Sequence, residues 1–183
     1  MSAASLKRRT ILIDDSGWGD PILGVVIGLL DLPAGRYMER RIPVSYFQPP
    51  HFEKQEYLDN AVEIAREAVK VMKPDKDATF KVCSGYVLSG IRNYLKSLGF
   101  KVDETEITGD LQTRVEKSFL NWCREVGVPR GALEQESGKP RFWLLINWVK
   151  EKPHLREHLV KTGWKSWTKK WRDYVYSESQ AST

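Results

Sequence analysis

The sequence predicts a three-layer, mixed α/β fold in its first 140 residues. Three apolar runs joined by short turns open the chain, which is typical of an antiparallel meander. Helical and strand-like segments then alternate as far as residue 126, which is typical of a sheet covered by helices.

The meander consists of three predicted strands. Residues 10–14 form a short apolar strand, and residues 22–30 form a second apolar run. The turn signal Leu32-Pro33-Ala34-Gly35 leads to a third strand over residues 36–47. Pro43 cannot donate a hydrogen bond to a neighbouring strand, so we expect this strand at an edge of the sheet or broken at Pro43.

The alternating part begins with a helix over residues 53–72, where apolar residues recur every three or four positions until Lys73-Pro74. Gly99 is a typical helix terminator, and Asp110 suits the N-cap of a later helix. The further predicted elements are a strand at 79–82, a helix at 86–98, a strand at 100–107 and a helix at 111–126.

The rest of the chain is predicted to be a loop up to residue 140 and a mostly helical extension after it. Residues 142–149 are strongly apolar and suit either a strand or a buried helix. Residues 153–176 are predicted to be helical with a break near Gly163, and residues 177–183 to be frayed. We therefore predict a core domain at 1–140 and a C-terminal extension at 141–183 that packs on it.

Positive charge is concentrated in that extension. The chain has a formal net charge of +5. From residue 141 to the end there are 9 basic and 4 acidic residues, whereas residues 1–140 hold 20 of each. This asymmetry favours a basic surface that contacts a polyanion, although a solvated helix surface has the same composition.

The composition, with 41% hydrophobic and 29% charged residues, is that of a globular protein. No apolar run approaches the roughly 20 residues that a membrane helix needs. Asp14 and Asp15 interrupt the apolar run near the N-terminus, which argues against an export signal. The two cysteines, Cys83 and Cys123, show neither a metal-site spacing nor a disulfide framework. We expect a cytoplasmic protein.

Two stretches resemble motifs of one enzyme superfamily. Ile13-Asp14-Asp15-Ser16-Gly17-Trp18-Gly19-Asp20-Pro21, followed by Leu23-Gly24, is similar to the I-D-E-A-G-R-G-P signature of type 2 ribonuclease H. Val82-Cys83-Ser84-Gly85-Tyr86-Val87-Leu88-Ser89-Gly90-Ile91 is similar to the fourth strand and following helix of the type 1 enzymes. The chain thus resembles the ribonuclease H-like superfamily over about residues 10–126, without identifying a member. The resemblance implies a mixed five-stranded sheet with the element order β-β-β-α-β-α-β-α.

The resemblance also implies a site for divalent metal ions. Enzymes of this superfamily use about four carboxylates to hold two Mg²⁺ or Mn²⁺ ions about 4 Å apart, and they hydrolyse phosphodiester bonds. Asp14 corresponds to the bridging ligand at the end of the central strand. Asp15 and Asp20 can join it only if the turn after the strand folds them inward, and capping of that turn is the local alternative for Asp15.

Two more acids match positions in the superfamily. Asp110 follows the fifth strand at the start of a helix, where the superfamily places its last acid, and an N-cap is the local alternative. Glu63 lies among apolar residues of the first helix and matches the helix acid of type 1 enzymes, although a solvated glutamate is the commoner case. The predicted catalytic residues are Asp14, Asp15, Glu63 and Asp110, with Asp14, Asp15, Asp20 and Asp110 as the metal ligands.

The chain departs from the pattern at two positions. Cys83 stands where type 1 enzymes have a metal-binding aspartate, and a neutral thiol cannot replace a carboxylate for Mg²⁺. Trp18 stands where type 2 enzymes have an arginine, so specific cleavage of RNA–DNA hybrids is not expected. Cys83 also follows a predicted strand and precedes a helix, and the N-terminus of a helix can lower the pKa of a thiol and make it a nucleophile. A buried structural cysteine is the commoner case.

The C-terminal extension contains a candidate nucleic-acid surface. Trp164, Trp167 and Trp171 fall on one helical face and are interleaved with basic residues. Such a face can stack on bases and neutralise phosphates, whereas packing on the core is the alternative. The predicted binding residues are Trp18, Lys165, Lys169, Lys170 and Arg172.

The leading hypothesis is a nuclease that depends on Mg²⁺ or Mn²⁺ and binds RNA or DNA. The first alternative is a non-catalytic module of the same fold that binds nucleic acid or a protein. The second is a phosphate-handling enzyme, because a strand ending in Asp before a Gly-containing turn also resembles the phosphate loop of the actin and sugar-kinase superfamily. Those enzymes use two such domains, for which 183 residues leave no room.

Overall fold

The chain folds into two compact units in a computed structural model that describes residues 9–133 and 138–177. Unit 1 contains residues 9–16, 26–42 and 57–118 of the described chain. Unit 2 contains residues 17–25, 43–56 and the described residues from 119 onwards. Both units are discontinuous in sequence, so their limits differ from the predicted boundary at residue 140.

Unit 1 is built on a mixed sheet. Its strands are β1 (Thr10–Ser16), β2 (Val25–Leu32), β3 (Arg36–Ile42), β4 (Thr79–Val82) and β5 (Lys101–Glu104). Within the described ranges these form one five-stranded sheet in the order β3-β2-β1-β4-β5. Strand β1 is antiparallel to β2 and parallel to β4, and β4 is parallel to β5. The sheet therefore changes from antiparallel to parallel pairing at its central strand.

Three long helices complete the predicted order: α1 (Glu56–Met72), α2 (Ser89–Ser97) and α3 (Asp110–Glu125). The element order and the mixed five-stranded sheet confirm the predicted fold class. Strand β3 ends at Ile42, before Pro43, and residues 44–47 form a 3-10 helix where the sequence predicted more strand. The predicted edge position of this strand is confirmed, since β3 lies at one end of the sheet.

The later helices are α4 (Arg130–Leu133), α5 (Gly138–Glu151), α6 (Pro153–Arg156) and α7 (Arg172–Tyr176). The apolar run at 142–149 is therefore helical, which decides between the two predicted conformations. A 3-10 helix at Glu157–Leu159 and a π-helix at Trp167–Trp171 lie between α6 and α7. Residues 178–183, most of the segment predicted to be frayed, lie outside the described residues. None of the helices in residues 9–133 and 138–177 is long and apolar enough to cross a membrane.

A buried lysine organises part of unit 2. Lys161 is 0% exposed, and its Nζ donates hydrogen bonds to the carbonyl oxygens of Gly17 and Trp18. The same ammonium group lies 4.9 Å from the ring centroid of Phe47 and 5.2 Å from that of Trp164. Hydrogen bonds and aromatic faces thus replace the water that this charge loses on burial.

In unit 1 a buried aspartate ties the sheet to the end of α1. Asp31 is 0% exposed and accepts hydrogen bonds from Arg9 Nε at 2.9 Å, Arg9 Nη2 at 2.7 Å and Arg36 Nη2 at 2.7 Å. Both guanidinium groups also donate to the Met72 carbonyl oxygen at the last turn of α1. The hydrogen bonds from Arg9, followed by those from Arg36, hold the pKa of Asp31 below its ordinary value.

We expect Asp31→Asn to lower the free energy of unfolding by about 2 to 3 kcal/mol at pH 7, because it leaves two guanidinium groups without a buried carboxylate partner. Urea unfolding measures this loss. Since the pKa of Asp31 is lower in the folded state, its ionised form stabilises the fold above the ordinary value of 3.8, and that stabilisation falls as pH drops through the folded pKa. The difference in the free energy of unfolding between the wild type and Asp31→Asn should therefore become smaller in acid.

Asp75→Asn is the matched control, because Asp75 lies 3.9 Å from the same Arg9 but is 75% exposed. We expect it to change the free energy of unfolding by less than about 0.5 kcal/mol. Equal losses from both substitutions would contradict the role assigned to Asp31.

Candidate metal centre

Three possible metal ligands meet where the sheet changes from antiparallel to parallel pairing. Asp14 and Asp15 lie near the end of β1, and Cys83 directly follows β4. The Cys83 amide donates to the Ile13 carbonyl oxygen at 2.9 Å, which extends the β1–β4 pairing by one residue. One carboxylate oxygen each from Asp14 and Asp15 and the Cys83 sulfur all lie within 4.8 Å of one another. The three groups are close enough to share one ion.

Asp14 is buried, and the described groups that donate hydrogen bonds to it are uncharged. It is 5% exposed and accepts hydrogen bonds from the Asp15 amide and from the Cys83 thiol. Among the described residues, no lysine or arginine forms a salt bridge with it. Burial is the main cause that raises its pKa, and the nearby Glu116 carboxylate adds to the shift. A bound cation would remove this penalty on the ionised form.

The Cys83 thiol is the hydrogen-bond donor in its contact with Asp14. Burial raises the pKa of Cys83 above its ordinary value, and the charges of Asp14 and Asp15 raise it further. A hydrogen bond from the Gly85 backbone offsets part of this shift. Activated nucleophilic cysteines have the opposite shift, so these surroundings do not favour the nucleophile hypothesis.

The turn after β4 is fixed by a glycine and an arginine. A Cβ on Gly85 would lie 2.7 Å from Asp15 Oδ1, so a larger residue here would displace that carboxylate. From helix α2, Arg92 Nη1 donates to the carbonyl oxygens of Cys83 at 2.6 Å and Gly85 at 3.1 Å. Its Nε also lies 3.3 Å from the Glu104 carboxylate. Arg92 thereby holds the backbone that carries the thiol.

Helix α3 contributes an acid that the sequence analysis missed. Asp14 pairs with Gly28 across the β1–β2 ladder, and a Cβ on Gly28 would lie 2.3 Å from Val115 Cγ1 of α3. The helix therefore touches the sheet directly beside Asp14. The next residue, Glu116, accepts a hydrogen bond from Ser16 Oγ at 2.6 Å and contributes to the raised pKa of Asp14. The sequence signal for this contact was Gly28 within an otherwise apolar strand, because a glycine there often marks the close approach of another element.

The two predicted helix acids lie away from this cluster. Asp110 is 61% exposed, and its carboxylate pairs with Arg114 at 3.0 Å on the surface of α3. Glu63 is 65% exposed and pairs with Arg66 at 3.2 Å on α1. The structure thus brings Asp14 and Asp15 together. Glu63 has the solvated position given as its alternative, whereas Asp110 is the first residue of α3 and forms an ion pair with Arg114.

Asp20, a further predicted ligand, belongs to unit 2 and has a cationic partner. Its two carboxylate oxygens accept hydrogen bonds from Arg141 Nε at 2.9 Å and Nη2 at 2.8 Å. Both side chains are at least nine-tenths buried. The guanidinium group already neutralises this carboxylate, which therefore does not need a metal ion.

The predicted nucleic-acid residues divide into packed aromatics and exposed cations. Trp167 is buried, Trp171 packs against Phe142 at 4.9 Å between ring centroids, and Trp18 lies edge-on to Phe47 at 6.1 Å. Lysines 165, 169 and 170 are exposed, and Arg172 Nε lies 3.7 Å from a Glu157 oxygen. Trp167 and Trp171 are therefore packed within unit 2, and among the described residues the ring contacts of Trp171 are with the extension itself, as with Phe142 and Trp143, and not with residues 1–140.

No family model and no curated protein matches the chain. Among solved structures, the chain is similar to the catalytic core domain of BIV integrase, with a TM-score of 0.36 and 14% sequence identity. The alignment covers 81% of this chain and 97% of that domain. A TM-score this low adds nothing to the fold, which we take from the sheet topology above.

We expect Gly28→Ala to destabilise the protein by at least about 1 to 3 kcal/mol, because the added methyl group would overlap Val115. Urea unfolding measures the change. Gly131→Ala is the matched control, since a Cβ there meets no atom within 4 Å and alanine favours the helix. A Gly28→Ala variant with an unchanged free energy of unfolding would contradict the direct contact between α3 and the sheet.

Proposed function

We propose that this chain is a divalent-metal-dependent phosphodiester hydrolase with its centre at Asp14. The observation that supports the proposal best is a carboxylate that is 5% exposed, has no cationic side-chain partner in the described residues and lies beside further acidic groups. Burial of an ionised carboxylate without a lysine or arginine is costly, so such a group either takes up a proton or binds a metal ion.

Asp14 and Asp15 would hold the ion, with Cys83 as the third group in reach. When bound, a divalent cation supplies Lewis acidity, which lowers the pKa of water and stabilises negative charge on phosphate oxygens. Glu116 is half-buried and oriented by Ser16, so it is placed either to complete the ligand set or to accept a proton from the attacking water.

The basic surface of unit 2 would bind the nucleic-acid backbone. Lysines 165, 169 and 170 are exposed on consecutive helical turns, and the Lys170 ammonium group lies 4.3 Å from the ring centroid of Trp171. Because Trp167 and Trp171 pack within unit 2, we assign this surface to phosphate contacts and not to base stacking.

One observation favours a second candidate function. The thiol of Cys83 stands where the resemblance places a carboxylate, and it donates a hydrogen bond to Asp14. A centre that keeps this hydrogen bond without a metal would belong to a non-catalytic module that binds nucleic acid or protein on the same fold.

Cleavage assays separate the two functions. We expect labelled single-stranded, duplex, hybrid or branched substrates to be cut when Mg²⁺, Mn²⁺ or Zn²⁺ is added, and Asp14→Asn to lower the rate at least about 100-fold through loss of a ligand. Asp110→Asn is the control, because this aspartate pairs with Arg114 on the helix surface. Cleavage that survives Asp14→Asn would rule out a hydrolase with its centre at Asp14. Binding without cleavage of any substrate would favour the module.

Exchange of lysines 165, 169 and 170 for glutamine should weaken binding of single-stranded nucleic acid and make it less dependent on salt. Each lost phosphate contact lowers the slope of log K against log salt by about 0.7. Exchange of lysines 70, 76 and 96, which are exposed in unit 1, changes the net charge equally. Equal effects of the two triple variants would show that only total charge matters and would contradict a specific surface.

A further inference from the structure

The donor atoms of the cluster do not suit the ions that the resemblance implies. Mg²⁺ takes six oxygen ligands in near-octahedral geometry and keeps several of its waters. Here one of the three groups within 4.8 Å is a sulfur atom, and Asp14 is almost fully buried. Neither the sulfur ligand nor the enclosure of Asp14 fits a hydrated Mg²⁺ ion.

We propose that the centre selects a thiophilic divalent cation of the Zn²⁺ class over Mg²⁺, with the Cys83 thiolate as a ligand beside Asp14 and Asp15. This inference rests on the metal centre of the proposed function and names its cofactor. On binding, the Cys83 thiol gives its proton to solvent and its sulfur binds the ion in place of the hydrogen bond to Asp14.

The cluster can close around such an ion. Zn²⁺ binds carboxylate oxygen at about 2.0–2.2 Å and thiolate sulfur at about 2.3 Å, so an oxygen and a sulfur on one tetrahedral ion lie about 3.6 Å apart. The three atoms here lie within 4.8 Å of one another, so the side chains have to close by up to about 1.2 Å. Three protein ligands with a fourth position open to water is the usual arrangement of a catalytic zinc site.

The position of the sulfur is fixed by the backbone around it. The Cys83 amide donates to Ile13 of β1, and the Cys83 carbonyl oxygen accepts from the buried Arg92. These two hydrogen bonds hold the residue on both sides and keep its side chain directed to Asp14. Buried backbone groups need such bonds whatever the side chain, and here the bonds also hold a ligand in place before an ion binds.

Co²⁺ is the probe, because cobalt bound to a thiolate shows a sulfur-to-cobalt charge-transfer band in the near ultraviolet. We expect the full chain to develop this band on titration with Co²⁺. Zn²⁺ should abolish it at stoichiometric amounts, whereas Mg²⁺ in about 100-fold excess should not. Cys83→Ser should lack the band and bind Zn²⁺ at least about 10-fold more weakly. Cys123→Ala is the control and should keep the band, since Cys123 is buried in α3 and is not part of the cluster.

Cys83→Asp is the second variant and changes the donor set to three carboxylates. We expect it to lack the band and to gain thermal stability from Mg²⁺ to a greater extent than the wild type, because a third oxygen ligand suits Mg²⁺. No band in the wild type, or a band that persists in Cys83→Ser, would overturn the inference.

The spectrum distinguishes this inference from the proposed hydrolase. A band that depends on Cys83 in a protein that cuts no substrate would support the thiophilic site and refute the hydrolase. Mg²⁺-dependent cleavage that is unchanged in Cys83→Ser, with no cobalt band, would support the hydrolase and refute the thiophilic site.

Discussion

Direct contact between helix α3 and the sheet at Gly28 is the constraint on which the candidate centre depends. Val115 occupies the space that a side chain at residue 28 would need. Because Gly28 pairs with Asp14, the contact places the following residue, Glu116, beside the end of β1. A larger residue at position 28 would move the helix away and separate the acid on α3 from the acids on the central strand.

Three aspartates are almost fully buried, and they differ in what compensates their charge. Asp31 has Arg9 and Arg36, and Asp20 has Arg141. Among the described residues, Asp14 accepts hydrogen bonds from an amide and a thiol and forms no ion pair, and burial raises its pKa. The described part of the fold thus places a guanidinium group beside two of these buried carboxylates and none beside the third. That contrast distinguishes a site for an external cation from structural ion pairs.

Local patterns predicted the helices and strands well, because periodic apolar residues and turn signals act over a few positions. They also placed Asp14 at the end of the central strand. They selected Asp110 and missed Glu116, since the position of an acid on α3 depends on which side of the helix faces the sheet. Nor could they find the Asp20–Arg141 pair, whose members are 121 residues apart in the chain. The conformation of residues 142–149 stayed ambiguous, because an apolar segment without a clear periodicity suits a buried strand and a buried helix equally.

The burial of Lys161 has a consequence for chemical modification of the chain. An ammonium group that is 0% exposed and bonded to two carbonyl oxygens is closed to acylating reagents and to acetyltransferases while unit 2 remains folded. Its side chain becomes reactive only when the surrounding segments open. The rate at which this one amine is labelled, set against the exposed lysines of the same unit, therefore measures the free energy of local opening.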